Sequence, residues 1–187
     1  CCHGDLFDLL HSNSRQLPAG PLGGCTVHHA KFYAANVLTI LRVLQDHSVV
    51  HRALIPENLL IDRSGYLKLA SFDVAKKLHA GQRTGTLCGI PEYLAPEVIA
   101  VKAYGTAVDL WALGCLIFEL LTNHSPFYDP DEQEMTSRIV HAESSLNTAL
   151  EHKSMDKDTE SILRQLLSQD ESERLGAGGG GLADIWK

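Results

Sequence analysis

The chain has 187 residues, 44% hydrophobic and 21% charged, which is enough for one ordinary domain with a packed core. A formal net charge of −7 gives no reason to expect nucleic-acid binding and suits basic peptide partners better. Five cysteines, at 1, 2, 25, 88 and 115, form no C-x-x-C pair, so a disulfide framework or structural zinc site is not expected and a reduced, intracellular chain is.

Cys1-Cys2-His3 and His28-His29 lack a second pair at metal-ligand spacing. No basic-then-apolar leader opens the sequence. The longest apolar run, Leu110 to Leu121, contains Glu119 and falls short of the roughly 20 residues a bilayer requires, so it reads as a buried soluble helix.

In chain order, Asp5-Leu6-Phe7-Asp8-Leu9-Leu10 predicts a short amphipathic helix with acidic residues in its first turn. Leu17 to Gly24 is a Pro/Gly linker. Thr26 is placed to cap a long helix from Val27 to about Asp46, with Phe32, Tyr33, Val37, Ile40, Leu41 and Leu44 at helical period. Val49-Val50 is a brief extended segment. Leu59-Leu60-Ile61 and Tyr66-Leu67-Lys68-Leu69 around Asp62-Arg63-Ser64-Gly65 predict a hairpin that brings the polar loops on either side of it to one edge. After Phe72 a long aperiodic loop runs past Gly81, Gly85, Gly89, Pro91 and Pro96, and loops of that length are functional or mobile. Thr106 is expected to cap a helix from Ala107 to Leu121, apolar almost all round and therefore buried. Asp131–His141 and Asp158–Ser168 read as two amphipathic helices separated by a polar stretch. A glycine-rich turn follows from Gly176 to Gly181, and Leu182–Lys187 starts a further element. The expected fold is mainly α, with one small β-hairpin.

The stretch from His51 to Asp73, H-R-A-L-I-P-E-N-L-L-I-D-R-S-G-Y-L-K-L-A-S-F-D, resembles the catalytic core of eukaryotic protein kinases, where H-R-D-L-K-P-E-N and D-F-G flank such a hairpin. Gly89–Glu97 resembles G-T-P-E-Y-x-A-P-E. Ala107–Gly114 resembles the D-x-W-x-L-G start of the family's central helix, and Arg174-Leu175-Gly176 the late arginine motif. Thr86-Leu87-Cys88-Gly89 with Ala30-Lys31-Phe32-Tyr33-Ala34-Ala35 points to the AGC group, near the cyclic-nucleotide-dependent Ser/Thr kinases. The resemblance implies a helical C-terminal lobe around a buried central helix. Residues 1–187 read as a single partial kinase domain that starts just after the interlobe hinge, where His3-Gly4-Asp5 is similar to G-G-E. The N-lobe is absent from it, and the chain stops before the last helix is complete. Such a lobe is expected to expose an apolar face on the N-lobe side, which invites association.

The catalytic residues the resemblance points to are altered. Ala53 stands at the position of the base Asp, Ile55 at that of the loop Lys, Ser71 at that of the D-F-G Asp, and Ile90 at that of a Thr contacting both Asp and Lys. ATP and Mg²⁺ are the cofactors implied, but a neutral Ser71 hydroxyl is a poor ligand for a hard cation. Asn58 matches a second Mg²⁺ ligand and equally suits a loop-closing role. Asp73 either reaches a metal through a shifted loop or is a solvated carboxylate. Leu60 matches the floor under adenine. Asp5 and Glu57 match contacts to ribose and to basic substrate side chains, and Glu119 a third acidic site; together they suit an arginine-rich peptide, singly they are solvated charges. Arg52, Lys76 and Thr86 match a phosphothreonine switch, although Arg52 also suits plain packing. His51, Phe72, Glu97, Asp109 and Arg174 match architectural positions: Glu97 and Arg174 a buried ion pair, Asp109 an anchor for the His51-Arg52 backbone, His51 and Phe72 a packed spine. Cys88 is either oxidisable or a small buried thiol.

The functional expectation is a pseudokinase acting as a binding or regulatory module. The competing one is part of an active ATP-dependent Ser/Thr kinase acting on basic peptides. The partners implied are proteins or basic peptides, an N-lobe or an upstream regulatory domain, with no nucleic acid and no membrane span.

Overall fold

In the computed structural model, residues 4–12, 17–79, 81–151, 153–178 and 181–186 are described, the side chains of 183, 184 and 186 excepted. Seven helices are assigned among them: α1 (Leu6–His11), α2 (Val27–Asp46), α3 (Pro96–Ile99), α4 (Ala107–Thr122), α5 (Glu132–Val140), α6 (Ala142–Glu151) and α7 (Lys157–Leu166). Cys1-Cys2-His3, Gly179, Gly180 and Lys187 lie outside the described residues.

The core is built around α4. All sixteen of its residues are buried, so no face of it is left for solvent. Helices α2 and α7 pack on two sides of it. At Gly114 a Cβ would come within 2.8 Å of Leu167 Cδ2, so glycine sets how closely the chain after α7 approaches. The Leu17–Gly24 linker docks on the end of the same helix, with Gly24 N donating to Leu121 O at 2.9 Å and Cys25 N to Leu120 O at 2.7 Å. Asn123, at φ 66°, stops α4 in the left-handed conformation an asparagine tolerates.

Thr26 caps α2, its hydroxyl accepting from His29 N at 3.5 Å and lying 2.7 Å from His29 Nδ1. The buried stripe of α2 is Ala30, Tyr33, Val37, Leu38 and Leu41. Phe32, expected on that stripe, is instead partly exposed and packs its ring 5.4 Å from that of Tyr66 in the hairpin turn. Thr106 does not cap α4 through its side chain. Its backbone is already helical (φ −72°, ψ −15°), a geometry that turns the hydroxyl away from the first free N–H groups.

Strands β2 (Leu59–Ile61) and β3 (Leu67–Leu69) form the expected antiparallel hairpin, with Leu60 opposite Lys68 and Gly65 at φ 84° in the turn. A second sheet was not foreseen: β1 (Val49–Val50) pairs with β4 (Lys76–Lys77). The polar stretch between α5 and α7 is also helical. Helix α6 buries only Ala142, Leu146 and Leu150, a stripe one residue wide. Among the described residues no helix is long and apolar enough to cross a membrane.

Candidate active-site cleft

Asp109, in the first turn of α4, holds the loop that follows β1. Its two carboxylate oxygens accept from His51 N at 2.8 Å and Arg52 N at 2.9 Å. Full burial pushes the Asp109 carboxyl up to about 6, against the pull of those two N–H donors. The His51 ring donates from Nε2 to Ala70 O at 3.1 Å and stands edge-on to Phe72, 4.9 Å between centroids. Burial holds this imidazole below its ordinary pKa, so the buried ring is neutral. Arg52, at φ 68°, sends Nε to Val74 O at 2.6 Å and Nη1 to the Tyr104 hydroxyl at 3.4 Å.

The loop closes on itself through Asn58, whose amide donates to Ala53 O at 2.9 Å. Ile55 is buried, and Pro56–Asn58 makes a single 3-10 turn leading into β2. Leu60 is half-buried in β2 and bridges Asp5, while Asp5 Oδ1 caps α1 by accepting from Asp8 N at 2.8 Å. Past β3, Ser71 adopts φ 59° and donates its hydroxyl to Asp73 Oδ2 at 2.9 Å, both side chains being exposed.

The ATP and Mg²⁺ that the family resemblance implies can be tested against these atoms. Ala53 offers no ligand, Ser71 offers only a neutral hydroxyl that donates to Asp73, and Asn58, its nitrogen donated to Ala53 O, offers only a neutral amide oxygen. Among the described residues no three His, Cys, Asp or Glu side chains converge to hold a metal. The donor set does not fit a Mg²⁺-bound triphosphate.

A group of acidic side chains gathers beside the loop. Glu119 of α4 is buried; it accepts from His11 Nε2 at 2.8 Å and from the Tyr93 hydroxyl in a short contact. Burial and Glu119 push the Tyr93 phenol far up. Glu92 is held above the usual carboxylate range by burial first, then by Glu119 and Glu57. Glu57 is exposed. Of the three acidic positions the sequence singled out, Glu119 is therefore occupied from within and Asp5 is spent on a cap. Glu92, Tyr93 and His11 were missed; Glu92 and Tyr93 lay in plain view within the Pro91-Glu92-Tyr93 motif.

The segment from β4 to α3 is fastened at several points. Lys76 Nζ donates to Thr84 Oγ1 at 3.0 Å, and Thr84 is buried and bridges Tyr104. The Tyr104 hydroxyl donates to Thr86 O at 2.5 Å, leaving the Thr86 side chain exposed. Thus Arg52 and the Thr86 backbone carbonyl share the Tyr104 hydroxyl, whereas Lys76 turns to Thr84. The Cys88 sulfur lies 3.9 Å from the Tyr104 hydroxyl. Beyond the segment, Arg174 Nη1 and Nη2 grip Glu97 Oε1 and Oε2 at 2.7 and 3.0 Å. The same guanidinium also donates to Ala107 O and Ser168 O and lies 5.2 Å from the Trp111 ring centre.

A loop hung from a buried helical aspartate, a hairpin behind it and a bidentate ion pair beyond it define a kinase C-terminal lobe. The chain belongs to the protein kinase domain family, whose sequence profile matches residues 1–180. It is of the AGC type. It is similar to the cAMP-dependent protein kinase catalytic subunit of Dictyostelium discoideum, 44% identical over 156 residues, 83% of this chain and 23% of that protein. It is also similar to the cAMP-dependent protein kinase catalytic subunit 3 of Drosophila melanogaster, 39% identical over 184 residues (98% and 29%). A third similar protein is the cGMP-dependent protein kinase egl-4 of Caenorhabditis elegans, 40% identical over 187 residues (100% and 23%). The chain thus spans between 23% and 29% of the length of these relatives.

Proposed function

We propose that this kinase domain transfers no phosphate and acts as a binding or regulatory module, a pseudokinase of the AGC Ser/Thr class. The observation that carries the reading is the content of the cleft: a methyl group at Ala53, an aliphatic chain at Ile55, and a Ser71 hydroxyl already donated to Asp73. Positioned acid–base help alone is worth about 10²- to 10⁴-fold. Phosphoryl transfer further depends on metal and charge placed around the phosphates, which Ser71 and Ile55 do not supply. The exposed Glu57 and half-buried Glu92 support a basic protein segment as partner. The same reading takes Thr86, exposed beside the Tyr104 bridge, as a phosphate acceptor, with Arg52 and a released Lys76 as the cations that would gather it. It places the protein inside the cell, in keeping with an odd number of cysteines.

The competing reading is an active Ser/Thr kinase, favoured by one observation: Asp73 brings a carboxylate within two residues of the altered Ser71. The deciding experiment measures Mg²⁺-dependent transfer from ATP to a basic serine peptide, using the longest form of the protein and its Ala53→Asp/Ser71→Asp variant. The native form is expected to be silent. Transfer by the native form that Asp73→Asn abolishes would overturn the proposal.

A further inference from the structure

Between α3, α6 and α7 lies a cavity of about 860 Å³, a size that suits a ligand site. Its apolar lining comes from Pro96, Ala100, Val140, Leu146 and Leu167. Most polar groups around it are spent within the fold. Arg83 forks onto Ala103 O and reaches Glu171, Arg164 is held by Glu160 and Asn147, and the Glu97 carboxylate faces Arg174. Asp170 Oδ1 accepts from both the backbone and the hydroxyl of Ser172.

Two charges on the wall are not spent. Among the described residues, the side chains of Lys102, in the turn after α3, and Glu143, in the first turn of α6, make no hydrogen bond or ion pair, with each other or with any neighbour. Lys102 adds to the downward shift of the Asp170 carboxyl, after the Ser172 donors and Arg174, but does not pair with it. The Gln169 side-chain amide on the same wall is uncommitted as well. The turn that carries Lys102 is costly. Val101 sits at φ 53°, which a β-branched residue rarely adopts, and is held there by Val101 N donating to Val98 O at 3.0 Å and Lys102 N to Glu97 O at 2.9 Å.

We propose that this cavity is a docking site for a short protein segment in which an acidic and a basic side chain flank aliphatic residues. The aliphatic residues rest on Val140, Leu146 and Leu167, the acidic group meets Lys102, and the basic group meets Glu143. Charge complementarity selects this partner. A purely acidic or purely basic segment would answer one wall charge and be repelled by the other, and the phosphates of a nucleotide would face Glu143, Asp170 and Glu171. A bare hydrocarbon would strip water from Lys102, Glu143 and Gln169 and return no hydrogen bond, whereas a peptide bond offers Gln169 both a donor and an acceptor. The site includes none of Ala53, Ile55, Asn58 or Ser71, so it goes beyond the non-catalytic reading and stands whether or not the cleft transfers phosphate.

The test uses the full chain, labelled at its valine and leucine methyl groups, and four tetrapeptides blocked at both ends. Each has two central leucines; the outer pair is aspartate then lysine, lysine then aspartate, two aspartates, or two lysines. Methyl NMR at Val140 and Leu146 reads both place and affinity. The better mixed peptide is expected to bind about fivefold tighter than either like-charged one. Lys102→Glu should move the preference to the two-lysine peptide, and Glu143→Lys to the two-aspartate peptide. Both positions are exposed, so both variants should melt as the native protein does. Methyl shifts absent from Val140 and Leu146, mixed peptides no tighter than the like-charged ones, or a preference that neither variant moves would overturn the proposal. Phosphate transfer at the cleft is measured separately, and neither result there changes these outcomes.

Discussion

Replacing Arg174 by Met keeps much of the side chain's bulk and removes every one of its donors. Glu97 then loses contacts of 2.7 and 3.0 Å, and Ala107 O and Ser168 O lose contacts of 3.0 and 3.2 Å. With side-chain exposures of 0% and 8%, the pair leaves almost no water to take over. Each lost charge-assisted bond is worth about 1.5–3 kcal/mol. They form one unit, however, and removing one partner of a buried ion pair costs about 3–5 kcal/mol in total. At about 2–4 °C per kcal/mol for a domain of this size, Tm should fall by about 6–20 °C. Glu97→Leu should cost a similar amount because it strands the guanidinium. The double variant leaves no unpaired buried charge, only Ala107 O and Ser168 O without their guanidinium donor, and should recover about 2–3 kcal/mol relative to the sum of the singles. Urea denaturation of the four proteins at pH 7, followed by circular dichroism, measures the cycle. A cost below about 1 kcal/mol for Arg174→Met, or single effects that add within about 0.5 kcal/mol, would refute the assignment of this pair as the tie between α3 and the end of the chain.

Asp109→Asn should destabilise by about 2–3 kcal/mol, since the amide turns a donor toward one of two facing N–H groups. The Asp109 carboxyl sits at about 6 in the fold, above its unfolded value, so the native state holds the extra proton between about pH 4 and 6. The wild-type advantage over Asp109→Asn should therefore grow as pH falls through that window, and a flat difference in urea midpoints would contradict it. His51 is shifted the other way, so its contribution is present above the unfolded imidazole pKa and is lost as pH falls below about 6.5; an NMR titration of the ring should place its pKa below the ordinary imidazole value. Gly114→Ala should cost about 1–2 kcal/mol despite the better helix former, because its Cβ meets Leu167 at 2.8 Å; a thermal melt unchanged or raised would show that the Leu167 side chain gives way.

Local pattern sufficed for much of this lobe. The all-apolar run of α4, the 3.6-residue stripe of α2 and the D-R-S-G turn of the hairpin each carry their own signal, and each formed. Helix α6 escaped because its buried set of Ala142, Leu146 and Leu150 is too sparse among Ser, Asn, Thr and Glu to stand out. The β1–β4 pairing escaped because two residues on each side show no alternation. At the cleft, the resemblance to H-R-D-L-K-P-E-N and D-F-G singled out Ala53, Ile55, Ser71 and Asn58, which the fold carries on the loops at either end of the hairpin. What the remaining side chains touch was not legible. His11 reaches Glu119 across 108 positions and Lys76 chooses Thr84 over Thr86, outcomes that depend on how helices and loops are laid against one another.

Helix α4 also sets a timetable for synthesis. It is buried on every side, yet one of its covers, α7, begins roughly 35 residues after it ends. At a translation rate of about 5–20 residues per second, that apolar helix waits about 2–7 s with α2 against it and the α7 side bare. A nascent chain in that interval presents bare apolar surface, a hazard written into the order of the helices rather than into anything at the cleft.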